Sequence, residues 1–322
     1  MTGGRDDRRS RGVLAGAAAL VLFVARPAWA DSGGPIGWWQ GWNWDPVLLL
    51  NLAILWWLYG RGLTRLWRRG GVGRGIGLRQ PIAFLTALAT LFVALVSPLD
   101  ALSGELASAH MVQHLLLILV AAPLFVVAAP MPLILGGLPK PLRREVGRWR
   151  QRIESGPAGF HLLWNPLFVW IAHAMALWVW HVPALYESAL IHPVIHDLEH
   201  LTFFGTACLF WRVLLDPISG RRLNPAAAVL SLFTMSLQGG GLGALMALSP
   251  RPWYGAYAGT ASTWRLSPLE DQQLAGLIMW MPGGLIYALA AVLILGAWLS
   301  GPDGGGRVST PLSRIGCRPT AT

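Results

Sequence analysis

Seven strongly apolar segments constrain this chain more than any other feature of its sequence. A helix needs about 20 apolar residues to cross the hydrocarbon core of a bilayer, with a range of about 17–25. Only 12% of the residues are charged, about half the share of a soluble domain. The sequence therefore predicts an all-α membrane protein, a bundle of about seven transmembrane helices. The apolar segments cover residues 46–60, 81–97, 106–129, 166–182, 194–215, 225–248 and 272–300.

The two ends of the chain differ from this apolar middle. Residues 1–30 combine an Arg-rich start, an apolar stretch and a small-x-small motif before residue 31, which is the pattern of a cleavable signal peptide. An uncleaved first helix is the alternative. Residues 31–302 are predicted to form one transmembrane domain, and residues 303–322 a disordered tail.

Basic residues are distributed unevenly among the loops. Loops 61–80 and 130–163 carry six Arg or Lys residues each, whereas loops 98–105 and 183–193 carry none. Because cytoplasmic loops concentrate Lys and Arg, the mature N-terminus is predicted outside and the C-terminus in the cytoplasm. The net charge of +10 is explained by basic residues that orient the chain in a lipid bilayer. No nucleic-acid partner is therefore predicted.

Two histidine pairs with helical i, i+4 spacing begin apolar segments on the predicted outer side. His110 and His114 begin the third segment, and His196 and His200 begin the fifth. Residues four apart project from the same face of a helix, and His181 ends the fourth segment on the same side. Ionisable side chains in a membrane segment are costly and suggest a function. These five histidines are the candidate metal ligands.

Three carboxylates accompany the histidines. Asp197 and Glu199 lie within the second pair, and Asp271 lies before the seventh segment. Such groups can orient ligand rings from outside the ligand set, and all three are predicted in that role. Asp271 can also be a ligand itself, a partner of Arg265, or a charge stabilised by the dipole of its own helix.

Several readings of the cluster remain open. Imidazole suits zinc, copper, iron and nickel; axial histidines on transmembrane helices can also hold haem, and membrane di-iron enzymes use His-x-x-x-His motifs. Each histidine taken alone can equally be a packing residue. The only two cysteines, Cys208 and Cys317, form no metal or disulfide motif. No nucleophile–base arrangement or pair of catalytic carboxylates is evident, so the protein is not expected to be an enzyme.

Five segments of the chain stand out together: the histidine motif 108–114, the segments 181–186 and 196–204, the Ser-Pro-Arg-Pro segment 249–252, and the segment 271–284. Their order and spacing resemble the CtaG family of cytochrome c oxidase assembly factors. The resemblance implies a seven-helix protein of the bacterial plasma membrane that is needed to make an active haem–copper oxidase, with copper handling as its expected role. An oxidase subunit would then be its partner, and the family's expected ligands fall on the five histidines named above.

The sequence and the resemblance together predict an assembly factor that binds copper at an outward-facing histidine cluster and delivers it to the oxidase. A haem-binding membrane cytochrome and a metal-free structural chaperone of an oxidase subunit are the alternatives. The oxidation state and number of copper ions, the partner subunit and the oligomeric state stay undetermined by the sequence.

Overall fold

A computed structural model describes residues 41–154, 165–215 and 223–300 of the protein. Helices and loops account for all of these residues, and the described chain contains no strand, which confirms the all-α prediction. The predicted signal peptide, the C-terminal tail and His161 lie outside the described residues. The helices are α1 (Pro46–Gly70), α2 (Arg79–Leu95), α3 (Pro98–Glu105), α4 (Ala107–Val127), α5 (Pro130–Gly137), α6 (Lys140–Glu154), α7 (Pro166–Trp180), α8 (Pro183–Ile191), α9 (Pro193–Leu215), α10 (Pro225–Leu248) and α11 (Pro268–Leu299).

Five of these helices, α1, α4, α9, α10 and α11, are long and apolar enough to cross a membrane. Two helix pairs pass the same test together, α2 with α3 and α7 with α8, although they bend by 44° and 76°. The seven predicted spans are therefore all present if each bent pair counts as one span. The multi-pass membrane architecture agrees with the prediction.

Both bends have the same cause in the sequence. Pro98 follows Ser97 at the first bend, and Pro183 follows Val182 at the second. The proline ring disfavours the helical conformation for the residue before it, and Ser97 and Val182 are indeed extended. The predicted outer loops 98–105 and 183–193 therefore contain the short helices α3 and α8.

Helix α1 is longer than predicted. Its start is fixed by the Asp45 side chain, which accepts a hydrogen bond of 2.7 Å from the Val47 N–H. The helix then continues past residue 60 through a basic stretch, since Arg and Leu are good helix formers. It ends at Gly71, which has a φ of 92° and donates its N–H to the Trp67 carbonyl. The predicted end at residue 60 is wrong by about three turns. The predicted loop 130–163 likewise contains α5 and the basic helix α6.

Helix α4 changes its hydrogen-bonding pattern midway. Residues Leu116–Ala121 form a π-helical stretch directly before Pro123. Proline supplies no N–H and crowds the preceding turn, and a wider turn accommodates both effects. The π-helical stretch begins two residues after His114.

Helices α10 and α11 pack closely through glycines, as predicted for the glycine-rich segment of α10. A Cβ atom on Gly243 would lie 2.7 Å from the carbonyl oxygen of Gly276, so only glycine allows this approach. Helix α11 also contains Pro282 and nevertheless runs without interruption. The helix packs against both α4 and α10.

Helix α4 occupies the centre of the bundle. It packs against α2, α3, α9 and α11. Two contacts show that the N-terminal ends of α4, α9 and α11 lie together. Asp271 in the first turn of α11 contacts the first turn of α4, and the first-turn histidines of α4 and α9 are in ring contact. The bundle therefore places the start of three helices, and the bend between α7 and α8, around one buried space.

Candidate metal centre

The two histidine pairs face each other across the α4–α9 interface. The ring centroids of His110 and His196 lie 5.6 Å apart, and those of His114 and His200 lie 5.5 Å apart. Within α4, the Nε2 atoms of His110 and His114 approach to 2.8 Å. All four side chains are buried, with at most 8% of each residue exposed. Sequence spacing placed each pair on one helix face, and the structure brings the two faces together.

Glu199 lies inside this group and not around it. It is fully buried, and its Oε2 and Oε1 atoms lie 3.6 Å from His110 Nε2 and 3.7 Å from His114 Nε2. Within the described part of the chain, neither oxygen finds a hydrogen-bond donor. Glu199 therefore lies among the candidate ligands, and its predicted orienting role stays a prediction. Its three-residue spacing from His196, which places both on one helix face, is the sequence signal that could have indicated this.

Ligand atoms converge in two overlapping groups. His110, His196 and His200 form one group, and His110, His114 and Glu199 form the other, with the potential ligand atoms of each group within 4.8 Å of one another. Imidazole nitrogen and carboxylate oxygen are both common ligands of first-row transition metals. The arrangement is therefore capable of holding a metal ion.

His181 lies at the edge of the cluster. Its ring centroid is 6.4 Å from that of His114, and neither ligand group in the described chain includes it. Its Nδ1 lies 2.7 Å from the Leu177 carbonyl oxygen. A carbonyl only accepts, so Nδ1 carries the proton and Nε2 of the neutral ring carries a lone pair. That Nε2 lies 3.4 Å from Met111 Sδ, so Met111 contacts a candidate ligand.

Asp271 holds the helix that carries the first histidine pair. Its carboxylate accepts hydrogen bonds of 2.6 Å from the Ala107 N–H, 3.1 Å from the Ser108 N–H and 2.5 Å from the Ser108 hydroxyl. It therefore caps the first turn of α4, the helix that carries His110 and His114. Asp271 also lies in the first turn of its own helix α11, so the favourable dipole interaction and the orienting role both stay predictions. Asp197 is half-buried on α9, and its predicted orienting role stays a prediction.

A tyrosine-rich loop between α10 and α11 covers the cluster. The Tyr257 hydroxyl donates to the Ser103 carbonyl at 3.0 Å and lies 3.3 Å from His110 Nδ1. Since its proton goes to Ser103, it accepts from His110 Nδ1–H, and the Nε2 lone pair of His110 then faces the cluster. Tyr254 stacks on Tyr186 with ring centroids 3.9 Å apart. Burial raises the pKa of Tyr257 well above its ordinary value, so its hydroxyl stays neutral.

No local pattern could have paired Tyr257 with His110, because the two residues are 147 positions apart. Two other histidines lie elsewhere. His192 is exposed, and His173 is buried with its Nδ1 at 2.9 Å from the Thr206 hydroxyl.

The fold and the cluster together define a multi-pass membrane protein with a buried, histidine-rich candidate metal centre. Comparison with known protein families then identifies the family of this membrane protein. The profile of the family described as Cytochrome c oxidase caa3 assembly factor (Caa3_CtaG) matches residues 57–300, most of the chain. The chain therefore belongs to this family, which confirms the resemblance found in the sequence. Comparison with curated proteins and with solved structures gives no match.

Proposed function

We propose that this protein binds a copper ion in its histidine cluster and passes the ion to a cytochrome c oxidase during assembly of that enzyme. Family membership supports the assembly role and the association with an oxidase. The observation that favours a metal cargo is the buried carboxylate of Glu199, which faces two histidine rings and has no hydrogen-bond partner in the described chain. A bound cation would neutralise it.

The donor set fits copper. His110, His114, His196 and His200 would supply imidazole nitrogens, which suit copper, and His181 would supply a further imidazole at the edge of the cluster. Among the described residues Cys208 is the only cysteine, and because it lies two turns beyond His200 on α9, no thiolate of this part of the chain belongs to the set. A cargo ion held by imidazole can be released to a partner more easily than one held by several thiolates.

The position of the cluster suits transfer between two membrane proteins. The distribution of basic loops favours the outer side of the bacterial plasma membrane for the ends of α4, α9 and α11, where the cluster lies. Delivery of an ion requires no turnover of a substrate, so we assign no enzymatic activity. The protein instead acts as a metallochaperone for its oxidase partner.

A haem group fits this space poorly. The His114 ring centroid lies 4.6 Å from that of Phe203 and 4.2 Å from that of His110. A macrocycle between α4 and α9 would have to displace these side chains together with Glu199. This packing favours a single ion over the haem-binding alternative.

Elemental analysis of the protein purified from copper-supplemented cells tests the proposal. We expect about one copper ion per chain in the wild type and its loss in the His196→Ala/His200→Ala variant. His192→Ala is the matched control, because His192 lies near the same helix end but is exposed, and this variant should retain copper. The cytochrome c oxidase activity of cells that express each variant should follow the copper content.

Other outcomes point to the alternatives. Iron in place of copper would indicate haem or a di-iron site, which a visible spectrum separates. A well-folded wild type without either metal, together with normal oxidase activity in the His196→Ala/His200→Ala variant, would establish the structural chaperone and refute the copper proposal.

A further inference from the structure

Glu199 is the only carboxylate in either ligand group of the described chain. It lies on α9 three residues after His196 and one before His200, so all three share one face of the helix. It is fully buried, and no Lys or Arg of the described residues forms an ion pair with it. A buried charge without a partner is strongly unfavourable, so this position is costly unless the carboxylate binds a cation.

The distances around Glu199 fit ligands that share an ion. Two ligand atoms about 2.1 Å from one metal ion at a tetrahedral angle lie about 3.4 Å apart. The Glu199 oxygens lie 3.6 Å and 3.7 Å from the Nε2 atoms of His110 and His114, which is longer than a hydrogen bond and close to this spacing. The two Nε2 atoms themselves are 2.8 Å apart, so the rings need to separate by about 0.6 Å to bind one ion.

The surroundings of Glu199 point its oxygens to the histidines. On α4 it faces His110 and His114, and on its own helix His196 and His200 complete the cluster. From the covering loop, Tyr254 and Tyr257 are close enough to interact with its charge. A phenol carries no positive charge in any protonation state, so neither tyrosine supplies a countercharge.

We infer that Glu199 is a direct ligand of the ion, and that its carboxylate makes the centre select a divalent ion such as Cu(II) over Cu(I). This inference rests on the proposed copper-binding function of the same cluster. Carboxylate oxygen is a hard ligand, whereas Cu(I) prefers thiolate and thioether sulfur. A site that combines imidazoles with a carboxylate therefore favours the oxidised ion.

A soft pair next to the cluster provides the competing possibility. His181 Nε2 and Met111 Sδ lie 3.4 Å apart, and both atoms suit Cu(I). If this pair were the main copper site, Met111 and not Glu199 would determine the affinity. The two assignments thus predict opposite effects for substitutions at these two buried positions.

Copper titration of the purified full-length protein against competing chelators tests the inference, with Cu(II) in one series and with Cu(I) under a reductant in the other. We expect Glu199→Gln to lower the Cu(II) affinity at least about tenfold, to alter the electron paramagnetic resonance spectrum of bound Cu(II), and to leave the Cu(I) affinity nearly unchanged. Met111→Leu, which keeps the side-chain volume, should leave the Cu(II) affinity unchanged. Glu145→Gln, at an exposed position on α6, is the surface control.

The outcomes separate this inference from the proposed function. Wild-type copper binding that Glu199→Gln leaves intact would overturn the carboxylate ligand and retain the histidine site. An equal loss of Cu(I) and Cu(II), or a loss of Cu(I) in Met111→Leu that exceeds the effect of Glu199→Gln, would overturn the selectivity. Failure of the wild type to bind either ion would overturn both proposals. If Glu199→Gln does not fold, Glu199→Asp retains the charge, shortens the side chain by one methylene group, and should also weaken Cu(II) binding.

Discussion

Substitution of Asp271 tests whether one carboxylate positions the first histidine pair through the backbone. Asp271 is fully buried and accepts three hydrogen bonds from the first turn of α4. Asp271→Ala removes all three and leaves the N–H groups of Ala107 and Ser108 buried without an acceptor. The first turn of α4 should then loosen, and His110 lies only three residues beyond Ala107.

The magnitude follows from the bonds that are lost. A hydrogen bond to a charged group contributes about 1.5–3 kcal/mol, and a buried donor left without a partner costs about 1–3 kcal/mol. The serine hydroxyl can turn to another acceptor, so the three losses do not add in full. We expect Asp271→Ala to lower the free energy of unfolding by about 3–5 kcal/mol. Asp271→Asn retains one acceptor oxygen and should lose about half as much.

The assay is denaturant unfolding in detergent micelles, followed by helical circular dichroism, beside a copper titration. Glu270→Gln is the matched control, because Glu270 is the neighbouring carboxylate but is exposed and caps its own helix α11. It should retain wild-type copper affinity, whereas Asp271→Asn should bind copper more weakly. Equal stability and copper affinity in Asp271→Ala and Glu270→Gln would refute the positioning role.

Three further predictions follow from the packing around the cluster. Tyr257→Phe removes the acceptor for His110 and should lower copper affinity about 10–100-fold. Tyr59→Phe, which loses one hydrogen bond to the Ala128 carbonyl, should leave copper affinity unchanged. Equal copper affinities in the two variants would contradict the assignment. Gly243→Leu should prevent α10 from packing on α11 and reduce the yield of folded protein, while Gly241→Leu, which faces open space, should be tolerated. Burial raises the pKa of Tyr254 above its ordinary value of 10.0, so the tyrosine hydroxyl loses its proton first in the unfolded chain. The free energy of unfolding should therefore fall as the pH rises above about 10. Tyr254→Phe should reduce this dependence of the unfolding free energy on pH, and an unchanged dependence would show that this tyrosine does not contribute.

Local sequence signals were sufficient where one helix decides the outcome. Asn224 and Ser267 act as N-caps before prolines, and their side chains accept from the first turns of α10 and α11, where the apolar pattern predicted helices. The same signals did not predict the end of α1 near Gly71. This helix continues beyond the apolar segment, because a helix ends only where its backbone hydrogen bonding is interrupted. Pro282 is the opposite case. Helix α11 continues through this proline while it packs against α4 and α10.

The sequence by itself determined an all-α membrane bundle, its family, and the two histidine pairs, because hydropathy and i, i+4 spacing are properties of single helices. Only the tertiary structure decided that the two pairs meet, that Glu199 lies among them, and that Asp271 and Tyr257 support α4 and His110. These contacts join residues up to 164 positions apart. They depend on which helix faces fit together and how closely, as at Gly243 and Gly276, and the spacing within one helix carries no information about its neighbour.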